Sequence, residues 1–417
     1  MSTGDIHLVL GISCSGKSSY IEHKINSGEW ANIPLLMAYE IEPRVSNELI
    51  DQECIIHYNL FRPFNNDASN INNDFLDDKI LSELLHDRDR IKAHLLIVHP
   101  SILSKRVLLQ SEVEGRLRKP ETPYPQQAIF ELLCRIDAPD FYNRWISLLK
   151  ELNINFEMIL SETSEYTVIP SVAELLAHLS NEKTVSYTDV EISEIVENND
   201  FEYQQIQLPN NQFTQGNDRS HSLSLLDKDL TGKSILDIGC AYGYFCFEAE
   251  KRNAARVVGT ELKRHRYIGA NIIKQMTGAK SQILYENIFD TSINNDSNNR
   301  ESNNGNFDIV LLLNVIHHLK EPIKALRMIA GICTEKLIIE FPTLSDSKFN
   351  STLSTPANFD SSLPIIGVSL QIEQDQTFLF SPQAIERILL DHDKLFSKIE
   401  FIESPMNKER CVAICYK

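Results

Sequence analysis

Ser234-Ile235-Leu236-Asp237-Ile238-Gly239-Cys240-Ala241-Tyr242-Gly243 is a short apolar run that ends near an acid and turns through two glycines spaced Gly-x-x-x-Gly. A helical stretch, 244–252, follows at once. Such a strand–turn–helix unit aims backbone N–H groups at whatever sits at the mouth of the helix, and glycine lets a ligand approach the chain closely. The same arrangement occurs near the start of the chain. There Ile6-His7-Leu8-Val9-Leu10 leads into Gly11-Ile12-Ser13-Cys14-Ser15-Gly16-Lys17-Ser18, and a helix runs on to about Asn26. Two such units imply two ligands and two sites.

Around the second unit the pattern predicts strands at 256–261, 282–286, 307–313 and 336–341, with helices at 264–276 and 321–333 between them. Ser381 reads as the N-cap of a helix to 390, with Pro382 in its first turn. Strands 397–403 and 410–416, joined by a turn at Pro405-Met406-Asn407, are expected to pair antiparallel. The stretch 291–306 holds seven asparagines and reads as an inserted surface loop. Residues 344–363 read as a loop or lid.

Around the first unit, strands are predicted at 34–39, 54–60, 93–99 and 156–161, with helices at 80–90, 101–118, 128–153 and 172–179. The Asn- and Asp-rich stretch 64–74 reads as a loop. Alternating strands and helices argue for mostly parallel sheets covered on both faces. The predicted fold class is therefore α/β, with two doubly wound domains at 1–182 and 228–417. Between them, 183–227 reads as an acidic linker and a turn-rich lead-in segment.

Bulk properties agree with a globular chain. It has 417 residues, 42% hydrophobic and 24% charged, too many for one ordinary core. No apolar run reaches the ~18 residues that a membrane span requires, and no basic-then-apolar leader opens the sequence. The eight cysteines are scattered, with no Cys-x-x-Cys pair, which argues against structural zinc on thiolates and for a reducing, cytoplasmic setting. The net charge of −18 argues against a nucleic-acid partner, Lys263-Arg264-His265-Arg266 being a local exception. No feature specifies an oligomeric state.

Gly11 to Ser18 matches Gly-x4-Gly-Lys-Ser and resembles the P-loop of nucleotide-binding folds. The resemblance implies ATP or GTP with Mg²⁺: backbone amides around Ser15 and Gly16 on the phosphates, Lys17 bridging the β- and γ-phosphates, Ser18 on the metal. In size and layout residues 1–182 are similar to small P-loop kinases. The metal-binding acid expected after a neighbouring strand is not evident, since those strands end in His57-Tyr58-Asn59 and His99. Glu40 or Glu42 is the candidate carboxylate; a plain strand-end role is the alternative. Arg106, Arg116 and Arg118 fall where such kinases carry arginines on the transferred phosphate, or form a solvated helix face.

The C-terminal part resembles class I methyltransferases that use S-adenosylmethionine, on residues 236–245. The resemblance implies that Gly239 and Gly243 admit the methionine part of the donor and that Asp237 shapes the loop or meets the ammonium. Glu261 would accept from both ribose hydroxyls. Asn287 stands where the family usually has an Asp beside the adenine. Asn314-Val315-Ile316-His317-His318-Leu319 matches the segment beneath the methionine and near the acceptor, with His317 as candidate base or mere packing. A nicotinamide-binding reading lacks its Gly-x-Gly-x-x-Gly. The expectation is a bifunctional enzyme, a kinase-like domain joined to a methyltransferase, acting on a small-molecule or glycan acceptor. The alternatives are a methyltransferase with a non-catalytic nucleotide module, and an RNA end-modifying kinase/methyltransferase.

Overall fold

A computed structural model describes residues 4–37, 52–60, 79–109, 125–289, 305–346, 362–368 and 378–417. The chain divides into two compact units, Met1–Tyr187 and Thr188–Lys417.

In the first unit, β1 (Ile6–Gly11), β2 (Leu35–Met37), β3 (Cys54–Asn59), β4 (Ile91–Ile97), β5 (Asn155–Leu160) and β6 (Thr167–Ile169) form one sheet in the order β2-β3-β1-β4-β5-β6. All neighbours run parallel except β5 and β6. β1 lies between β3 and β4, so the chain leaves it to either side. The crevice at its C-terminal end is where open α/β sheets bind ligands. Gly11 to Ser18 fills that crevice and opens α1 (Lys17–Asn26). The segment expected as one helix over 128–153 is two, Pro125–Arg135 and Ala138–Glu151. Asp137 starts the second by accepting from Asp140 N at 2.8 Å, and Pro139 sits in its first turn.

In the second unit, β7 (Ser234–Ile238), β8 (Arg256–Glu261), β9 (Gln282–Tyr285), β10 (Phe307–Leu313) and β11 (Cys333–Pro342) are parallel. An antiparallel pair, β12 (Ile366–Val368) with β13 (Phe378–Phe380), forms a separate two-stranded sheet and was not read from the sequence. β14 (Lys398–Glu403) and β15 (Arg410–Tyr416) complete the main sheet, in the order β14-β15-β11-β10-β7-β8-β9. They pair antiparallel, as expected, and β15 also runs antiparallel to β11. β10 shows why these runs become central strands: Ile309, Val310, Leu311 and Leu312 are all enclosed. Each such side chain contributes ~1.5–3 kcal/mol by leaving water.

From Thr188 onward, the stretch read as linker and lead-in belongs to the second unit. Thr188 and Glu191 form a capping box on the helix Asp189–Glu197. Phe201 then meets Tyr242 edge-on at 5.8 Å, and Tyr242 donates its hydroxyl to Asp200 O at 2.9 Å. Buried apolar and hydrogen-bonded contacts hold the segment against the glycine turn, so it is structured rather than a spacer.

Candidate functional site

The site of the second unit is built at the C-terminal ends of β7, β8 and β10. Gly239 and Gly243 have φ of 71° and 86°. A Cβ on Gly239 would lie 2.6 Å from Val315 Cγ2, so only glycine lets the turn pass beneath the segment after β10. Ala241 also adopts positive φ, 53°, which costs an L-residue about 1 kcal/mol. Its N–H donates to Glu261 Oε2 at 3.0 Å, while Lys263 N donates to Oε1 at 2.7 Å. The Glu261 carboxylate is thus fixed with one backbone donor on each oxygen. Each oxygen keeps a further lone pair, which suits a vicinal diol.

Asp237 is enclosed at the end of β7, and the Cys246 thiol donates to its Oδ2 at 3.7 Å. Burial pushes its carboxyl up to about 7, with Glu261 adding a smaller push. Asn287 lies two residues beyond β9 and opens the next turn, where its Oδ1 accepts from Phe289 N at 3.1 Å.

Asn314 departs from its expected role. Its Nδ2 donates to Glu340 Oε2, Arg410 Nη1 donates to its Oδ1, and its φ is 60°. The amide is spent on the protein, because β11 and β15 bring the buried Glu340 and the partly buried Arg410 to it. Glu340 also accepts from Ser404 Oγ, and Arg410 Nε stands 3.7 Å from the enclosed Asp346. His317 departs too. Burial, with His318 and Arg410 alongside, pushes it down to about 2. An imidazole with so little proton affinity is a poor general base near neutrality. Its Nδ1 has no hydrogen-bond partner among the described residues.

Gln204 was missed. It is buried, and its Oε1 accepts from Tyr242 N at 2.9 Å and Tyr244 N at 3.5 Å, at the start of the helix that follows the turn. Glu340 was missed as well, although an acid ending the apolar run Leu337-Ile338-Ile339 is the same signal that marked Glu261.

In the first unit, Gly11 to Ser18 wraps the end of β1. Gly16 has φ 88°, and a Cβ there would lie 2.6 Å from Ser161 Oγ. Lys17 is buried and folds back on its own loop, donating to Gly11 O at 2.8 Å and Ile12 O at 2.9 Å. Ser15 Oγ is enclosed and has no hydrogen-bond partner among the described residues, while Ser18 is exposed on α1. Asn59 Nδ2 donates to Ser13 Oγ at 2.8 Å, so an amide stands where a carboxylate was sought. His99 is committed to Ser101 N and Asn181 O. Arg106 donates to Ser161 O and Glu162 O at 2.8 and 2.9 Å. With Cys14, Ile102, Lys105 and Leu109 it lines a cleft of about 490 Å³ beside the loop. Glu40, Glu42, Arg116 and Arg118 lie outside the described residues.

Residues 212–392 match a family model described as a methyltransferase domain. Over 102 residues, 24% of this chain, the sequence is 30% identical to a tRNA U34 carboxymethyltransferase of Desulfotalea psychrophila, covering 29% of that protein. It is 27% identical over 99 residues to the enzyme of the same description from Campylobacter hominis, covering 32% of it. The match thus spans about a third of the length of these curated relatives. Similar solved structures include the N-terminal domain of EvdMO1 with SAH and D-fucose, at 15% identity and a TM-score of 0.41, over 55% of this chain and 97% of that one. A putative S-adenosylmethionine-dependent methyltransferase from Listeria monocytogenes is similar at 16% identity and a TM-score of 0.35, over 47% of this chain and 96% of that one.

Proposed function

We propose that the second unit is a methyltransferase domain and transfers a methyl group from S-adenosylmethionine. The observation that carries this reading is the Glu261 carboxylate, oriented by Ala241 N and Lys263 N beside a glycine turn that no side chain at 239 would permit. When bound, the donor supplies a sulfonium-activated methyl group. Glu261 holds its ribose, Gly239 and Gly243 admit its amino-acid part, and Asn287 flanks the adenine. Val315 and neutral His317 line the acceptor side. With His317 unsuited to proton transfer, the domain works chiefly by aligning acceptor and methyl. Isothermal calorimetry on the full chain tests this: S-adenosylhomocysteine should bind, and Glu261→Ala should weaken binding at least tenfold. Equal affinity in the two proteins would remove the assignment.

For the first unit the reading is a nucleotide site at Gly11 to Ser18, taking ATP or GTP with Mg²⁺. Ser18 is the metal ligand, and Lys17 swings from Gly11 O and Ile12 O to the phosphates. The enclosed Ser15 Oγ inside the loop, without a hydrogen-bond partner among the described residues, supports a ligand there. Phosphoryl transfer to a small-molecule or glycan acceptor makes the chain bifunctional. Asn59 at the end of β3 favours a second reading, a nucleotide-binding module without chemistry. Nucleotide turnover with an acceptor extract separates the two: phosphoryl transfer lost in Lys17→Ala supports the kinase. Nucleotide binding without Lys17-dependent transfer supports the module. An RNA acceptor is favoured only by the descriptions of the curated relatives, and the net charge of −18 weighs against it.

A further inference from the structure

At the start of the first unit's sheet, away from Gly11 to Ser18, four side chains form a line. Glu53 Oε1 lies 3.5 Å from His7 Nε2. His7 Nδ1 lies 3.3 Å from His94 Nε2. His94 Nδ1 lies 2.6 Å from Glu157 Oε1. Both imidazoles are buried, packed against Trp30.

Each of these three contacts joins atoms that both act as acceptors unless a proton or a cation lies between them. The Tyr20 hydroxyl lies 3.4 Å from both His94 Nδ1 and Glu157 Oε1 and serves the inner end of the line. At the outer end, the 3.5 Å between His7 Nε2 and Glu53 Oε1 is the spacing of two ligands that share one metal ion at ~2.0–2.2 Å from each.

A third ligand stands at the same point. Asp5 immediately precedes β1 and Glu53 immediately precedes β3, and the pairing of Ile6 with Cys54 sets the two acids side by side. One ligand atom each from Asp5, His7 and Glu53 lies within 4.8 Å of the others. Lys92 pairs with Asp5 Oδ2 at 2.5 Å and anchors that carboxylate at the cluster.

We infer that Asp5, His7 and Glu53 form a site for a divalent transition-metal ion of the zinc type, tying the start of β1 to the start of β3. An imidazole with two carboxylates suits zinc, whereas magnesium and calcium favour shells of oxygen alone. The remote nitrogen of His7 is fixed by His94, itself backed by Glu157, as the outer partners of metal-bound imidazoles usually are.

The competing account is an extra proton, one imidazole being imidazolium. The test uses the full chain, stripped of metal and titrated with zinc against a chromophoric chelator near neutral pH. The eight cysteines also take zinc, so the reading is the difference between proteins. Wild type should bind one equivalent more than Glu53→Gln, or bind it at least tenfold more tightly, and zinc should raise the Tm of wild type alone. Glu53 is half exposed, so Glu53→Gln leaves the fold in place, and His7→Asn serves as a second variant. Identical stoichiometry and affinity in wild type and Glu53→Gln overturn the site. So does a ¹⁵N spectrum in which His7 or His94 is imidazolium and zinc leaves it unchanged.

Discussion

Asp237 is a carboxyl whose burial works against its charge. In the unfolded chain it titrates near 3.8, and in the fold it rises to about 7. Between those values the folded state binds more protons, so stability falls as pH rises through that window and the whole penalty stands above it. Asp237→Asn removes the ionisable group. Relative to wild type, this variant should gain about 2 kcal/mol between about pH 5.5 and about pH 7.5, measured by urea unfolding at both. A constant offset between the two proteins would show that Asp237 ionises as readily in the fold as in the free chain. Asp237 and Glu261 were legible because each is an acid closing an apolar strand. Arg410 was not, because its partner Asn314 lies 96 residues away and only the pairing of β11 with β15 joins them.

Among the elements, the strands were the easiest to read. Buried parallel strands are continuous apolar runs, and β10 is the clearest. The split at Asp137 was harder to see, since the apolar spacing continues across it; Asp137-Ala138-Pro139 was the signal that outweighed it. The segment 200–218 was hardest. Polar and turn-rich, it declares no period, yet it straps the glycine turn through Gln204. Tyr242 N depends on that side chain, and leaving a buried donor unsatisfied costs about 1–3 kcal/mol. Gln204→Leu should therefore weaken S-adenosylhomocysteine binding about tenfold while the circular dichroism stays native. Unchanged affinity would show that the turn keeps its shape without the strap.

At the scale of the molecule, each unit has its own sheet and its own core. Leu8, Ile56, Leu95 and Trp145 share one cluster, and Leu236, Val310, Ile339 and Leu389 share another. Residues 188–417 expressed alone should unfold cooperatively and bind S-adenosylhomocysteine as the full chain does. A fragment that is molten, or that has lost the ligand, would show that the second unit does not fold on its own.

The order β14-β15-β11 reaches further than the architecture. β14 is made before β15 yet lies outside it, and among the described residues its one neighbour in the sheet is β15. On the ribosome, a nascent chain that has emerged as far as β14 has nowhere to seat it, and β11 still shows a bare edge. Translation that pauses there would present both to the chaperone machinery, and only the seven residues of β15 close the gap.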